Sequence, residues 1–150
     1  RIAVGADHAG FDMKSHLVAV LRAQGHEVHD LGAHSTAAVD YPDYAEAVAT
    51  ALSDHRADRG LLVCGSGAGV SIAANKFPGI RAAVCHDTYT AHQAVEHDDM
   101  NVLCLGARVV GAALAEEITT VFLGARFSGE NRHQRRLDKM LAIEARFNRT

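Results

Sequence analysis

The sequence contains no tryptophan and only two prolines, and aromatic residues make up 5% of its 150 residues. Its 15 basic and 18 acidic residues leave a net charge of −3 with histidine neutral, which argues against a dedicated nucleic-acid binder. No apolar run approaches the length of a membrane span, and the opening residues, RIAVGADHAG, do not resemble a signal peptide. We therefore expect a cytoplasmic globular protein with one domain over residues 1–150.

Cysteine is scarce, and no metal-binding motif is present. The three cysteines, Cys64, Cys85 and Cys104, form no CxxC pair, and each lies in or at the end of an apolar run. This favours free thiols in a reducing cytoplasm over a disulfide framework. There are ten histidines but no HExxH motif, and His92 and His97 miss the i, i+4 spacing of a helical metal pair. No metal site is predicted.

Short apolar runs alternate with longer helical patterns along the chain. The runs are Ile2–Gly5, Glu27–Leu31, Gly60–Cys64, Ala82–Cys85 and Val102–Leu105. The helical stretches are Phe11–Gln24, Tyr44–Ser53, Val70–Asn75, Tyr89–Glu96, Val109–Leu123 and Arg132–Phe147. This alternation predicts a Rossmann-like three-layer α/β/α sandwich around a five-stranded parallel sheet. Ligands bind at the carboxyl ends of such strands, so Asp7 and His8 should share a rim with Cys64–Gly69.

The stretch CGSGAG, residues 64–69, places a thiol directly before a glycine-rich turn and a predicted helix. Its glycines let the backbone approach an anion, and the helix start offers free N–H groups. A dinucleotide fingerprint would need glycine where the chain has Val70, although Asp87 lies at a suitable distance for a ribose contact. The P-loop and GxSxG patterns are absent. A nucleotide site and a tight turn without a ligand both stay open as alternatives.

Several other side chains could carry chemistry. A thiolate is favoured beside a helix N-terminus, so Cys64 is a candidate base or nucleophile, whereas Cys85 and Cys104 are predicted to be core. His97 lies in EHDDMN, whose carboxylates would favour the protonated ring, although a solvated acidic loop is the alternative. Tyr41 precedes a proline and either packs or faces a ligand.

Three arginines indicate a phosphate site. Arg132 and Arg136 are four residues apart, so they project from one face of the last predicted helix. Arg108 follows the fifth predicted strand. The guanidinium group is suited to bidentate phosphate recognition, and the glycine-rich turn is suited to the same anion.

The motifs GADHAGF, DYPDYA, CGSGAGVSIAANKFPGIRAA, LGARVVG and RHQRR together resemble the type B ribose-5-phosphate isomerases, which share their fold with galactose- and allose-6-phosphate isomerases. The match extends over nearly the whole chain in order. It implies an aldose–ketose isomerase of the pentose phosphate pathway that interconverts ribose 5-phosphate and ribulose 5-phosphate through an enediolate, without a metal or cofactor. It also implies a homodimer or tetramer with shared active sites, while the charge and the short apolar runs predict no nucleic-acid or membrane partner.

The resemblance implies three catalytic residues. Cys64 is the base that moves a proton between C2 and C1, Ser66 assists opening of the sugar ring, and His97 is the acid in that step. Backbone N–H groups of the turn are placed to stabilise the enediolate. The expected substrate-binding residues, of which the three arginines are implied to hold the phosphate, are Asp7, His8, Tyr41, Gly65, Ser66, Gly67, Ala68, Gly69, Asp98, Arg108, Arg132 and Arg136.

One departure from the family pattern concerns specificity. The family commonly has His-Asn-Asp where this chain has His97, Asp98 and Asp99. A carboxylate only accepts hydrogen bonds and adds negative charge, whereas an amide also donates. A hexose 6-phosphate isomerase, acting on galactose or allose phosphate, is therefore an alternative. A noncatalytic nucleotide-binding module is the alternative from a different class.

The order of the predicted elements separates His97 from Cys64. His97 precedes the fifth strand and should lie toward the amino edge of the sheet, whereas Cys64 ends the third strand at the carboxyl edge. A strand of about five residues spans roughly 16 Å, which exceeds the reach of a histidine side chain. We therefore expect each site to combine Cys64 of one chain with His97 of another, and the helix carrying Arg132 and Arg136 to extend onto the partner.

Overall fold

The computed structural model describes residues 1–148, which form a five-stranded parallel sheet with helices on both faces. The strands are β1 (Ile2–Ala6), β2 (Val28–Asp30), β3 (Arg59–Cys64), β4 (Ala82–Val84) and β5 (Val102–Gly106). The helices are α1 (Phe11–Ala23), α2 (Tyr41–Ser53), α3 (Ala68–Ala74), α4 (Thr88–Asp98), α5 (Ala112–Gly124) and α6 (Asn131–Phe147). The strand order is β2-β1-β3-β5-β4. The predicted α/β sandwich is confirmed.

The three central strands are buried on both faces. Every residue of β1 and β5 is buried, as is all of β3 after Arg59. Their near-continuous apolar sequences are typical of parallel strands covered on both sides. Helices α1, α4 and α5 pack on one face of the sheet, and α2 and α3 pack on the other. This arrangement places the carboxyl ends of β1, β3 and β5 side by side.

Two helices begin three residues away from the predicted start, and three others differ by one or two residues. Helix α2 begins at Tyr41 rather than Tyr44, because Pro42 lies in the first turn, where a missing N–H breaks no helical hydrogen bond. Helix α5 begins at Ala112 rather than Val109. The Val109 N–H donates instead to the Gly106 carbonyl in a turn that follows β5.

The segment EHDDMN ends α4 and is not an acidic loop. The helix continues through His97 and Asp98, and Asp99 ends it in the left-handed conformation with φ of 53°. At the other end, the carboxylate of Asp87 accepts a hydrogen bond from the Thr90 N–H at 2.7 Å. Asp87, the candidate ribose ligand, is therefore occupied as the N-cap of α4.

All three cysteines have free thiols and are buried. Cys85 and Cys104 lie in the core, as predicted, with side chains 1% and 0% exposed. Burial raises the pKa of the Cys85 thiol to about 11 and raises the pKa of Cys104 further still. Both therefore stay protonated at neutral pH and act as small apolar side chains. Between residues 1 and 148, no helix is long and apolar enough to cross a membrane.

Candidate active site

The carboxyl ends of three adjacent strands form one rim. In the sheet register Ala6 lies beside Val63, and Cys64 lies beside Gly106. Asp7 directly follows β1, Cys64 ends β3, and Arg108 lies two residues beyond β5. The rim expected from the alternation of strands and helices is therefore present, and these residues together with the turn at 65–69 form what we call the rim group.

The Cys64 thiol is held by the backbone of the glycine-rich turn. Its side chain is 4% exposed, and Sγ accepts a hydrogen bond from the Gly67 N–H at 3.1 Å. Gly67 has φ of +82°, in the left-handed region, and is the N-cap of α3. An amide N–H aimed at sulfur stabilises negative charge on it, as does the start of a helix. Neither Cys85 nor Cys104 receives such a backbone bond among the described residues.

The turn is enclosed by neighbours that require small residues. A Cβ on Gly69 would lie 2.8 Å from Cζ of Tyr41, so that ring packs directly on the backbone. Tyr41 is also 41% exposed, which means that it both packs and faces solvent at the rim. The hydroxyl of Ser66, an exposed residue, accepts from the Ala68 N–H at 3.2 Å.

Arg108 lies over the start of the turn. Its backbone N–H donates to the Gly65 carbonyl at 3.0 Å, and its guanidinium Nη1 would lie 3.4 Å from a Cβ on Gly65. The residue is exposed. An exposed guanidinium group beside a turn with free N–H groups is an arrangement that binds anions.

Asp7 and His8 are fixed by backbone amides. The Asp7 carboxylate is 7% exposed and accepts from the Gly10 N–H at 3.0 Å. Nδ1 of His8 accepts from the Val39 N–H at 3.2 Å, so the neutral ring carries its proton on Nε2. His8 therefore presents a donor at the rim.

The remaining predicted residues lie elsewhere, on α4 and α6. His97 and Asp98 end α4, and Asn101 just beyond them pairs with the Arg81 carbonyl at the start of β4. The end of α4 thus lies at the amino edge of the sheet, as expected from the element order. Arg132 and Arg136 lie on the first turns of α6, where both are exposed. We call these four residues the helical group.

The contacts of His97 differ from the predicted ones. The segment EHDDMN led us to expect carboxylates around the ring. Instead Nδ1 of His97 lies 2.9 Å from Nε2 of Gln93, and the ring stacks on that of His133 with centroids 4.0 Å apart. The prediction failed because the ring contacts a side chain one helical turn earlier and a ring on α6, whereas the Asp99 carboxylate pairs with Arg81.

Two groups near the rim, the buried Lys14 and the partly buried His86, were not predicted. Lys14 is 1% exposed, and its Nζ donates to both carboxylate oxygens of Asp30, at 2.8 and 3.0 Å, and to the Ala33 carbonyl at 2.6 Å. The Ala33 N–H donates to the Ala6 carbonyl directly before Asp7. One signal was available, because Lys14 lies on the helical face otherwise formed by apolar residues at 17, 18 and 21.

The second unpredicted group is His86. Its Nε2 accepts from the Gly106 N–H at 2.9 Å, and the backbone of Gly106 packs against that of Ser66. The ring therefore supports the turn from behind. No spacing in the sequence indicates this contact, because it depends on β4 lying beside β5.

Residues 2–140 match the model of the ribose/galactose isomerase family. The chain belongs to this family, as the sequence motifs predicted. It is 49% identical over 148 residues to ribose-5-phosphate isomerase B of Escherichia coli (strain K12), covering 99% of each protein. It is 45% identical to D-erythrulose-4-phosphate isomerase of Pectobacterium atrosepticum, covering 85% of each.

Solved structures of family members have the same fold. Ribose-5-phosphate isomerase B of Clostridium thermocellum superposes with a TM-score of 0.95 at 46% identity, covering 97% of this chain and 98% of that one. The enzyme of Mycoplasma genitalium, determined with bound ribulose-5-phosphate, superposes with a TM-score of 0.90 at 40% identity, covering 96% of this chain and 95% of that one.

Proposed function

We propose that this chain is an aldose–ketose isomerase that interconverts ribose 5-phosphate and ribulose 5-phosphate. The observation that carries the proposal is the buried Cys64 thiol at the end of β3. It accepts a hydrogen bond from the Gly67 N–H and lies beside a glycine-rich turn that can bind an anion. Family membership and 49% identity to a ribose-5-phosphate isomerase B support this substrate.

In this proposal Cys64 acts as the base. Its thiolate removes the proton from C2 of the open-chain aldose, and the C–H electron pair forms the C1–C2 double bond of an enediolate. Return of the proton to C1 and transfer of the hydroxyl proton from O2 to O1 leave the ketose. General base catalysis of this kind contributes typically about 10²–10⁴-fold.

Backbone N–H groups of the turn stabilise the enediolate oxygens. Two of the amides first considered for this role are already occupied, because Gly67 donates to Cys64 and Ala68 donates to Ser66. The amides of Gly65, Ser66 and Gly69 are therefore the proposed donors. The sequence predicted that the N–H groups of the whole turn take part, and the proposal reduces them to these three.

Ring opening precedes enolisation when ribose 5-phosphate is the substrate. We assign the acid to His97, with the Ser66 hydroxyl assisting. Asp7, His8 and Tyr41 contact the sugar phosphate at the rim, and Arg108, Arg132 and Arg136 bind the phosphate group. Asp98 lies beside His97 and faces the part of the sugar that differs between substrates.

We further infer that each complete site forms from two chains. The rim group lies at the carboxyl edge and the helical group at the amino edge, separated by roughly 16 Å of strand. Helix α6 also exposes Met140, Ile143 and Phe147, which are 41%, 50% and 79% accessible. An apolar helix face of this kind is suited to a partner. A two-fold dimer, alone or within a tetramer, would create two equal sites in a cytoplasmic enzyme.

The direct test is a steady-state assay with ribose 5-phosphate, measured as ketose formation. Galactose and allose 6-phosphates and D-erythrose 4-phosphate are run beside it. We expect the highest kcat/KM with ribose 5-phosphate. A higher value with another sugar would reassign the substrate within the family, and specific nucleotide binding without any isomerisation would favour a noncatalytic module.

A tetrose phosphate is the second candidate substrate. The 45% identity to a D-erythrulose-4-phosphate isomerase favours it. Asp98, in place of the usual Asn, alters the hydrogen bonding offered to the sugar and is the position at which we test this preference. The same assay separates the two substrates, since one enzyme preparation is compared on both.

A further inference from the structure

The ring of His133 stacks directly on that of His97, and a chain of hydrogen bonds links His133 back to α4. The two rings are close to parallel, with an interplanar angle of 25° and centroids 4.0 Å apart. His133 is 2% exposed, and its Nδ1 lies 2.6 Å from Oγ of Ser128. The Ser128 N–H in turn donates to the Glu96 carbonyl at 2.9 Å, which ties this segment to the last turn of α4. The histidine on α6 is thus locked to the helix that carries His97.

The second restraint on His97 comes from α4 itself. Nε2 of Gln93 lies 2.9 Å from Nδ1 of His97, so one ring nitrogen is occupied. An amide can donate or accept, depending on which of its two ends faces the ring, and a hydroxyl can do both. Gln93 and Ser128 therefore keep their hydrogen bonds whichever protonation state the two imidazoles adopt. The edge restraint and the stacked ring together fix the direction of Nε2 of His97.

We propose that His133 is a positioning residue for the ring-opening acid: its buried ring is the platform that orients His97 toward the sugar of the partner's rim group. This inference rests on the proposed function, in which His97 protonates the sugar ring. Ring opening requires the proton to be delivered to one oxygen, and a small misplacement of a catalytic group is costly. His133 itself does not touch the substrate in this proposal.

The charge state of His133 suits a platform. Burial lowers its pKa, as do the neighbouring His97, Arg132 and Arg136, while Glu130 acts in the opposite direction. A ring that stays neutral places no second positive charge beneath His97 when His97 holds the proton to be transferred.

The test compares a step that needs ring opening with one that does not. Ribose 5-phosphate is a closed furanose, whereas ribulose 5-phosphate is open-chain because its C5 oxygen carries the phosphate. Conversion of ribose 5-phosphate therefore needs the acid, and deuterium exchange from D2O into C1 of ribulose 5-phosphate needs only the base. We expect His133→Ala to lower kcat with ribose 5-phosphate about ten-fold and to leave the exchange rate unchanged. His133→Phe keeps a flat ring and should stay within about three-fold of wild type.

Two controls separate this inference from the proposed function. His97→Ala must show the same split between isomerisation and exchange; if it does not, the acid is misassigned and the proposed mechanism fails. If His97→Ala splits the two rates and His133→Ala lowers both equally or neither, the positioning role is wrong. A Phe variant as impaired as the Ala variant also overturns the platform.

Assembly of the variants is checked by sedimentation. Where His133→Ala does not assemble like wild type, Ser128→Ala replaces it, because Ser128 is exposed and its hydroxyl tethers His133. A fall confined to ribose 5-phosphate conversion supports the proposal. Unchanged rates, or an equal fall in both, contradict it.

Discussion

The rim group and the helical group differ in how their residues are held. At the rim, Cys64 is fixed by a backbone N–H in a buried turn, and both strands beside β3 are buried along their length. In the helical group, His97 and Arg132 are held by other side chains, and no hydrogen-bond or ion-pair partner of the Arg136 side chain is found among residues 1–148. In the proposed mechanism the base is thus preorganised within each chain, whereas the proposed acid and two proposed phosphate ligands lie on helix surfaces where a partner could reach them.

Removal of the base tests the rim group and should have the largest effect. We expect Cys64→Ala to lower kcat with ribose 5-phosphate by about 10²–10⁴-fold, because the proton at C2 then has no acceptor. The fold should persist, since the side chain is small. Far-UV circular dichroism and kcat together check this.

The matched control is Cys85→Ala. It removes a buried thiol of the same size that receives no N–H from the described backbone, so the activity of the variant should stay close to wild type. Turnover of Cys64→Ala near the wild-type rate would exclude the thiol from the mechanism. Near-total inactivation of a folded Cys85→Ala protein would contradict the division between catalytic and core cysteines.

Mixing inactive chains tests whether the two groups belong to one site across subunits. Cys64→Ala and His97→Ala chains, dissociated and reassembled together, should regain about one quarter of wild-type activity, because half of the dimers are mixed and each mixed dimer has one intact site. The readout is activity against the mixing ratio, with mixed dimers verified by differently tagged chains.

The control mixture pairs Cys64→Ala with Ser66→Ala. Both changes fall in the rim group, so every site in a mixed dimer carries one defect, and mixing should give no more activity than the two parent chains contribute by themselves. If verified mixed dimers of Cys64→Ala and His97→Ala stay inactive, the shared site for this pair is wrong.

The same contrast explains what the sequence could predict. The rim was predictable because the apolar runs predicted parallel strands, and the carboxyl ends of parallel strands lie at the same edge of the sheet. The motif from Cys64 to Gly69 lies at one of these ends. The setting of His97 was not, because its main contact, His133, lies 36 positions away on α6. The start of α2 was also mispredicted: with Pro42 in its first turn, the helix begins three residues before the predicted start. A local pattern does not specify which distant ring or carbonyl will lie against a side chain.

Lys14 gives a test of how far the rigidity of the rim depends on a buried ion pair. Lys14→Met leaves Asp30 without its cation and frees the segment at Ala33 that borders Asp7. Because the Asp30 side chain is 23% exposed, we expect a loss of about 2–3 kcal/mol, just below the range of about 3–5 kcal/mol for breaking a fully buried pair. Urea unfolding measures it, and His16→Gln, an exposed change on the same helix, is the control.

The pair should also show in the pH dependence of stability. Burial opposes ionisation of Asp30, but the Lys14 ammonium and the Gly32 N–H outweigh it, so the pKa of Asp30 is lowered below 3.8. A lowered folded-state pKa contributes stability that is present above pH 3.8 and is lost as the pH falls through the folded value. Asp30→Asn should therefore lose stability at pH 7 but converge on wild type once the pH falls below the lowered folded-state pKa of Asp30. A constant difference at all pH values would contradict this assignment.

Substitution of Asp98 should produce the smallest change in activity, and it tests only the helical group. If this carboxylate has replaced an amide donor to the sugar, Asp98→Asn restores a donor and removes one negative charge near the phosphorylated substrate. We expect kcat/KM for ribose 5-phosphate to rise by a few-fold, about 1 kcal/mol in transition-state binding, relative to D-erythrose 4-phosphate.

Asp99→Asn is the neighbouring control, because the Asp99 carboxylate pairs with Arg81 at 2.9 Å. It should lower stability without changing the ratio between sugars. An unchanged ratio in Asp98→Asn would show that position 98 does not set the preference, and the choice of sugar would then rest with the rim.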